Sequence, residues 1–335
     1  MHSFGRVVMG QTMSEPVTVK ATACCENTNF KVGSSCMQGW RVNMEDFHTH
    51  ILSMPDDPNT AFFGVFDGHG GGKIAEYVGK HLHKYITNQK EYNEGNIAEA
   101  MKKGFLEIDD AMALEESLKR ERSGTTAITV LVKNDQIYCA NVGDSRAVAS
   151  IGGRAVPLSV DHKPNQEGEY DRITSAGGWV EYERVNGNLA LSRALGDYIY
   201  KKNPNKSAEE QIVTALPDVT EYAMTDDWEF IVLACDGIWD VMGNQEVVDY
   251  IREKIVEGLE PEKICENIMM RCLAPDLQMA GLGCDNMTVL IIGLLHNEPY
   301  NKLRIKCESS ASNREYTDTK ETKECVENRQ TDDPE

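Results

Sequence analysis

The chain has 335 residues, 41% hydrophobic and 26% charged, which excludes collagen-like, disulfide-scaffold and fully disordered classes. Its 34 basic against 54 acidic residues leave a net charge of −20 with no Lys/Arg block, so nucleic acid is not an expected partner. No apolar stretch approaches the ~20 residues that a bilayer-spanning helix needs.

Residues 1–28 mix small polar and apolar groups without a sustained period and read as a flexible N-terminal arm. Inside it, Met9-Gly10-Gln11-Thr12-Met13-Ser14 would become an N-myristoylation signal if translation began at Met9. Only then is a membrane an expected partner, and one acyl chain at Gly10 gives reversible association. The ten cysteines show no C-x-x-C pair. With no signal peptide at the start, they read as reduced thiols of a cytoplasmic or nuclear protein.

A dense pattern fills residues 29–296, the expected catalytic domain. Ala61 to Phe66 is an apolar run stopped by Asp67-Gly68, the sign of a buried strand ending at a turn. Helical spacing follows over 74–86 and 97–118. Runs over 125–132, 136–142 and 146–151, separated by Lys133-Asn134-Asp135 and Gly143-Asp144-Ser145, read as an antiparallel meander. A third apolar run, Phe230 to Cys235, stops at Asp236-Gly237; helices over 244–257 and 261–273 and a strand over 287–295 complete the domain. Strands and helices come in blocks, which argues for an α+β layered domain rather than a parallel sheet. The 335 − 296 = 39 residues after His296 are polar and read as a disordered or weakly helical tail.

The chemistry lies in where carboxylates stand. Asp67 and Asp236 each end an apolar strand, Asp285 precedes the last one, and Glu45-Asp46 opens another β run. Carboxylates gathered at buried strand ends repel one another and call for a cation. Oxygen donors without His or Cys select Mg²⁺ or Mn²⁺ over zinc. His69 stands two residues past Asp67 as a candidate general acid. Arg41, four residues before Glu45 and placed on the same strand face, is a candidate oxyanion clamp. Two such ions lower the pKa of a shared water and neutralise a phosphoryl group, so metal-assisted phosphoester hydrolysis fits this inventory.

An esterase is the rival. His69-Gly70-Gly71-Gly72 imitates an oxyanion-hole turn, and Gly143-Asp144-Ser145-Arg146-Ala147 nearly reproduces a nucleophile elbow. Ala147 replaces the last glycine, however, and the expected flanks are strand and strand, whereas an elbow needs strand and helix.

Blocks spread through the chain carry a resemblance. They include Arg41-Val42-Asn43-Met44-Glu45-Asp46, Asp67-Gly68-His69-Gly70-Gly71, Ser123-Gly124-Thr125-Thr126-Ala127 and Asn141-Val142-Gly143-Asp144-Ser145-Arg146. Further on stand Asp161-His162-Lys163-Pro164, Ser192-Arg193-Ala194-Leu195-Gly196-Asp197, Asp236-Gly237-Ile238-Trp239-Asp240 and Asp285-Asn286-Met287-Thr288. From about Asn29 to Leu295 the chain resembles the metal-dependent protein serine/threonine phosphatases of the type 2C class, and is most similar to the animal alpha/beta-like members. The resemblance implies a four-layer α-β-β-α sandwich, two antiparallel sheets flanked by helix pairs, with two Mg²⁺ or Mn²⁺ ions at one end. It implies that Asp67 bridges the ions, that the Gly68 carbonyl, Asp236 and Asp285 complete them, and that Glu45 and Asp46 hold their waters. Asp144 and Asp240 match a weaker third site with Asp236. Arg41 is implied to bind the substrate phosphate, His69 to protonate the departing oxygen, and residues 161–186 to form a flap. Phosphoserine and phosphothreonine proteins are the implied substrates, acted on by a monomer. The alpha/beta-like members carry a further helical domain, for which the 39-residue tail is too short.

Overall fold

Strands whose residues are apolar without a break must be covered on both faces, and the two faces separate residue by residue in this fold. The computed structural model describes residues 12–118, 120–277 and 281–309. The first elements are β1 (Thr12–Glu26), β2 (Phe30–Arg41), β3 (Phe47–Ile51), β4 (Thr60–Phe66) and β5 (Gly68–His69), then helices α1 (Lys73–Thr87), α2 (Lys90–Asn93) and α3 (Ile97–Leu114). Next come β6 (Gly124–Thr125), β7 (Ala127–Lys133), β8 (Gln136–Val142), β9 (Arg146–Ile151) and β10 (Arg154–Pro157). A lobe follows with α4 (Glu167–Ser175), the hairpin β11 (Val180–Glu181) and β12 (Arg184–Val185), and β13 (Leu195–Gly196). The chain then forms β14 (Asp218–Ala223), β15 (Trp228–Ala234), α5 (Asp236–Trp239), α6 (Asn244–Val256), α7 (Pro261–Cys272) and β16 (Met287–Leu294), and a helix over 300–309.

Two antiparallel sheets result, ordered β1-β2-β16-β15-β9-β10 and β14-β8-β7-β4-β3. Along β4, Phe63 and Val65 face the other sheet, where they meet Ile231, Leu233, Leu290 and Ile292. The alternate residues Phe62 and Phe66 turn outward under α1 and α3. In the other sheet Phe230 and Val232 of β15 likewise turn outward, under α6 and α7. The expected four-layer α-β-β-α architecture is therefore present, its three apolar seams following from the period of two in the strands. Fully burying each of these Phe or Ile side chains contributes roughly 1.5–3 kcal/mol. Helix α1 presents Ile74, Val78, Leu82 and Ile86 at a spacing of four, all fully buried. Among the described residues no helix is long and apolar enough to cross a membrane.

Three expectations need correction. Residues 12–26 are not a flexible arm: they form β1, an edge strand paired along β2 from Glu26↔Lys31 back to Thr12↔Arg41. The turn is built by Asn27, whose Oδ1 accepts the N–H groups of Asn29 at 2.9 Å and Phe30 at 2.8 Å. An edge strand with one wet face needs little hydrophobicity, so its sequence signal is weak. Residues 300–309, expected to lie in a disordered or weakly helical tail, form a packed helix. The helix over 300–309 buries Leu303 and Cys307 against α6 and α7, and Arg252 donates to the Cys307 carbonyl at 2.6 Å. Two apolar residues four apart among charged ones are too short a period to stand out. Finally, the 125–151 region is not one meander. β7 and β8 pair in one sheet, but β9 crosses to the other and pairs with β15. Gly143, at φ +103° and packed against Thr126, makes the sharp turn that sends the chain across. The Met9-Gly10 signal lies outside the described residues, as does the chain beyond 309.

Candidate metal centre

Antiparallel pairing brings strand ends that are far apart in sequence to one end of the sandwich. Asp67 follows β4, Asp236 opens α5 directly after β15, Asp285 precedes β16, and Asp144 sits in the β8–β9 crossing. Glu45 and Asp46 precede β3, and Asp240 caps α5. Glu45, Asp67, Asp144, Asp236 and Asp285 line a cleft of about 540 Å³ whose walls also include Arg41, Gly68 and His69.

The carboxylates at the floor are held by neutral donors and by each other. Asp67 N–H donates to Thr126 Oγ1 at 3.1 Å, and that hydroxyl bonds Ser145 Oγ at 2.7 Å. Thr288 Oγ1 donates to Asp46 Oδ2 at 2.7 Å. Asn286 staples the loop after β2 to the start of β16: its Oδ1 accepts Glu45 N–H at 2.9 Å, and its Nδ2 donates to the carbonyls of Gln38 and Asn43. Asp46 Oδ1 and Asp236 Oδ1 are sealed from solvent without a hydrogen-bond partner among the described residues. Burial pushes Asp67 far above the usual carboxylate range, with the charges of Asp236, Asp46, Asp285 and Asp144 adding to it. Asp236 is pushed up likewise by burial, then by Asp144, Asp285 and Asp240. Burial and Asp285 push Asp46 up to about 7, and burial raises Asp240. Orphaned carboxylate oxygens in a mutually repelling cluster are a cation's donor set, so the residues present fit divalent metal.

Positive groups stand around this floor. Arg41, the last residue of β2, forms an ion pair with Asp285. It does not share a strand face with Glu45, as expected from spacing; β2 ends at Arg41 and Glu45 lies in the following loop. Lys163 forms an ion pair with Asp144, and that bond, against the effect of burial, raises the lysine pKa. His69 Nε2 lies 2.5 Å from Asp197 Oδ2. Burial opposes charge on the ring, but Asp197 outweighs it and the His69 pKa is raised. The sulfur neighbour was not expected: Cys235 Sγ lies within 4.8 Å of carboxylate oxygens of both Asp67 and Asp236. Burial and the charges of Asp46, Asp67 and Asp236 push this thiol far up, so it stays an S–H that accepts from Thr288 N–H at 3.2 Å. Asp285 is not one of that trio; it pairs with Arg41 on the wall of the same cleft, and its charge raises Asp67 and Asp236.

Ser145, the rival nucleophile, is fully buried and bonded to Thr126 between two strands, which removes the esterase elbow. Thr126, Thr288, Asn286, Lys163 and Asp197 support the site yet were not singled out from sequence. Each lies inside one of the quoted blocks, but a hydroxyl or amide carries no spacing signal of its own.

The protein phosphatase 2C family profile matches residues 30–279. A probable protein phosphatase 2C of Caenorhabditis elegans is 62% identical over 303 residues, covering 90% of this chain and 85% of that one. Protein phosphatase 2C homolog 2 of Schizosaccharomyces pombe is 49% identical over 293 residues, covering 86% and 79%. Among solved structures, a phosphatase from a pathogenic strain of Toxoplasma gondii superposes with a TM-score of 0.71 at 28% identity, covering 84% of this chain and 96% of that one.

Proposed function

The chain belongs to the protein phosphatase 2C family, a family of metal-dependent protein phosphatases, and from that premise we propose that it hydrolyses phosphoserine and phosphothreonine at a centre for two Mg²⁺ or Mn²⁺ ions. Asp67 would serve both ions, with the Gly68 carbonyl, Asp236 and Asp285 completing the set and Glu45 and Asp46 holding their waters. Asp144 and Asp240, with Asp236, would take a weaker third ion; Lys163 already lends Asp144 positive charge. When bound, such ions supply an activated water and neutralise charge on the phosphoryl group.

The remaining work falls to side chains of the protein. Arg41 stands on the cleft wall, where its planar guanidinium can orient two phosphate oxygens at once. His69 carries a proton into the cleft for the serine or threonine oxygen, which leaves poorly as an alkoxide. Thr126, Thr288 and Asn286 hold Asp67, Asp46 and the Glu45 loop in place, so little reorganisation accompanies reaction.

The observation that carries this reading is that burial and neighbouring carboxylates from distant strand ends raise the pKa of Asp67 and Asp236, while Asp46 Oδ1 and Asp236 Oδ1 find no donor among the described residues. The test is hydrolysis of p-nitrophenyl phosphate and a phosphoserine peptide with Mn²⁺ and then with chelator. Turnover that disappears with chelator is expected. Turnover that survives it refutes the metal reading, and no turnover under either condition leaves a catalytically inert scaffold.

A further inference from the structure

The small sheet beside the cleft has a purpose that the phosphatase reading leaves unstated. Its three two-residue strands run β13-β6-β5, with Gly124 of β6 opposite His69 on one side and Gly196 on the other. Asp197 follows Gly196, so the sheet sets an imidazole and a carboxylate on either side of Gly124. That position has no room for a side chain: a Cβ there would lie 2.2 Å from Asp197 Oδ2 and 2.6 Å from His69 Nε2. Asp197 itself is only 4% exposed and takes a left-handed backbone, φ 51° and ψ 39°, with its N–H on the Ser123 carbonyl at 3.2 Å and its own carbonyl accepting from Tyr200 N–H at 3.0 Å. A buried carboxylate in a sparsely populated conformation persists only where its surroundings over-determine it, and such places concentrate at functional sites.

We propose that Asp197 is the positioning residue of the general acid: it holds His69 by Nε2 across Gly124, so that Nδ1 is the nitrogen left to face the substrate. Asp197 is not part of the cleft wall, whereas His69 is, so the carboxylate acts through the ring. An imidazole has two nitrogens, and one anchored to a carboxylate fixes both the tautomer and the ring plane of the other. During hydrolysis the phosphorus–oxygen bond to the serine or threonine breaks and its electron pair stays on that oxygen. The Nδ1 proton passes to it, water adds to phosphorus, and a proton from that water restores the ring by way of solvent. This inference rests on the phosphatase reading for its chemistry, though the pairing itself does not.

The test has two arms on the full chain. In the metal-free protein, the ring nitrogen resonances of His69 should show a protected, far-downfield Nε2–H that vanishes in Asp197→Asn; its absence from the wild type overturns the pairing. With Mn²⁺, Asp197→Asn should lower kcat on a phosphoserine peptide by about 10–100-fold, with KM little changed and far less loss on p-nitrophenyl phosphate, whose phenolate leaves without a proton. Gly124→Ala should reproduce that split by pushing the two groups apart. Asp197→Asn placed on His69→Ala should add nothing further. Equal losses on both substrates, or additive losses in the double variant, overturn the positioning role. A wild type that hydrolyses neither substrate refutes the phosphatase reading, and the resonance arm still decides the pairing.

Discussion

Replacing Asp46 by Asn isolates the electrostatic load of the metal-free centre. Its Oδ1 is sealed from solvent without a hydrogen-bond partner among the described residues, its Oδ2 accepts from Thr288 at 2.7 Å, and burial with the charge of Asp285 behind it lifts the pKa to about 7. In the unfolded chain the same group titrates near ~3.9. The folded state therefore binds the proton more tightly than the unfolded state. The stability this contributes is fully present below the unfolded value and is lost as pH rises through the folded one. At ~1.4 kcal/mol for each pH unit between those values, the ionised carboxyl destabilises the metal-free fold by up to ~4 kcal/mol at neutral pH. Asparagine keeps the acceptor for Thr288 and carries no charge. Urea denaturation in chelator should show Asp46→Asn more stable than wild type by ~2–4 kcal/mol near pH 7.5, with the difference shrinking to ~1 kcal/mol near pH 4.5. The same midpoint difference at both pH values, or a variant less stable at the higher one, would refute the argument. Saturating Mn²⁺ should narrow the gap, because a ligand stabilises the form that binds it, by ~2.7 kcal/mol at a hundredfold excess over Kd.

Asp236→Ala should abolish Mn²⁺-dependent turnover while the chelated protein keeps or gains thermal stability, since burial and three neighbouring aspartates already disfavour the Asp236 charge. Near-normal rates at saturating Mn²⁺ would remove Asp236 from the centre. Leu303→Ala, in the helix over 300–309, should destabilise by ~2–5 kcal/mol and lower the urea midpoint without changing its slope, because Leu303 is 3% exposed in the α6–α7 seam. An effect below ~0.5 kcal/mol would place that helix outside the cooperative fold.

The elements most legible in sequence are those with a strong local period. The expected strands over 61–66, 136–142 and 146–151 and helices over 74–86 and 244–257 match the observed β4, β8, β9, α1 and α6 within a residue or two. The aspartates that follow apolar runs were legible for the same reason: a carboxylate at the end of a buried strand is an anomaly visible in a few residues. Where the period is short or the face is wet, as in β1 and the helix over 300–309, the signal fades although the packing is real.

Partnership across sequence distance was the part spacing could not supply. Residue types and their periodicity depend on neighbours along the chain, so element type, apolar faces and the placing of Asp67, Asp236 and Asp285 at the ends of apolar strands can be read before any fold is known. Which sheet β9 joins, why Arg41 meets Asp285 rather than Glu45, and how Asp197 reaches His69 across a bare glycine depend on strand pairing and close approach. Those contacts span separations of 128 residues for His69 and Asp197 and 244 for Arg41 and Asp285, over which no backbone periodicity persists. Only burying both faces of each sheet at once selects the arrangement in which they form.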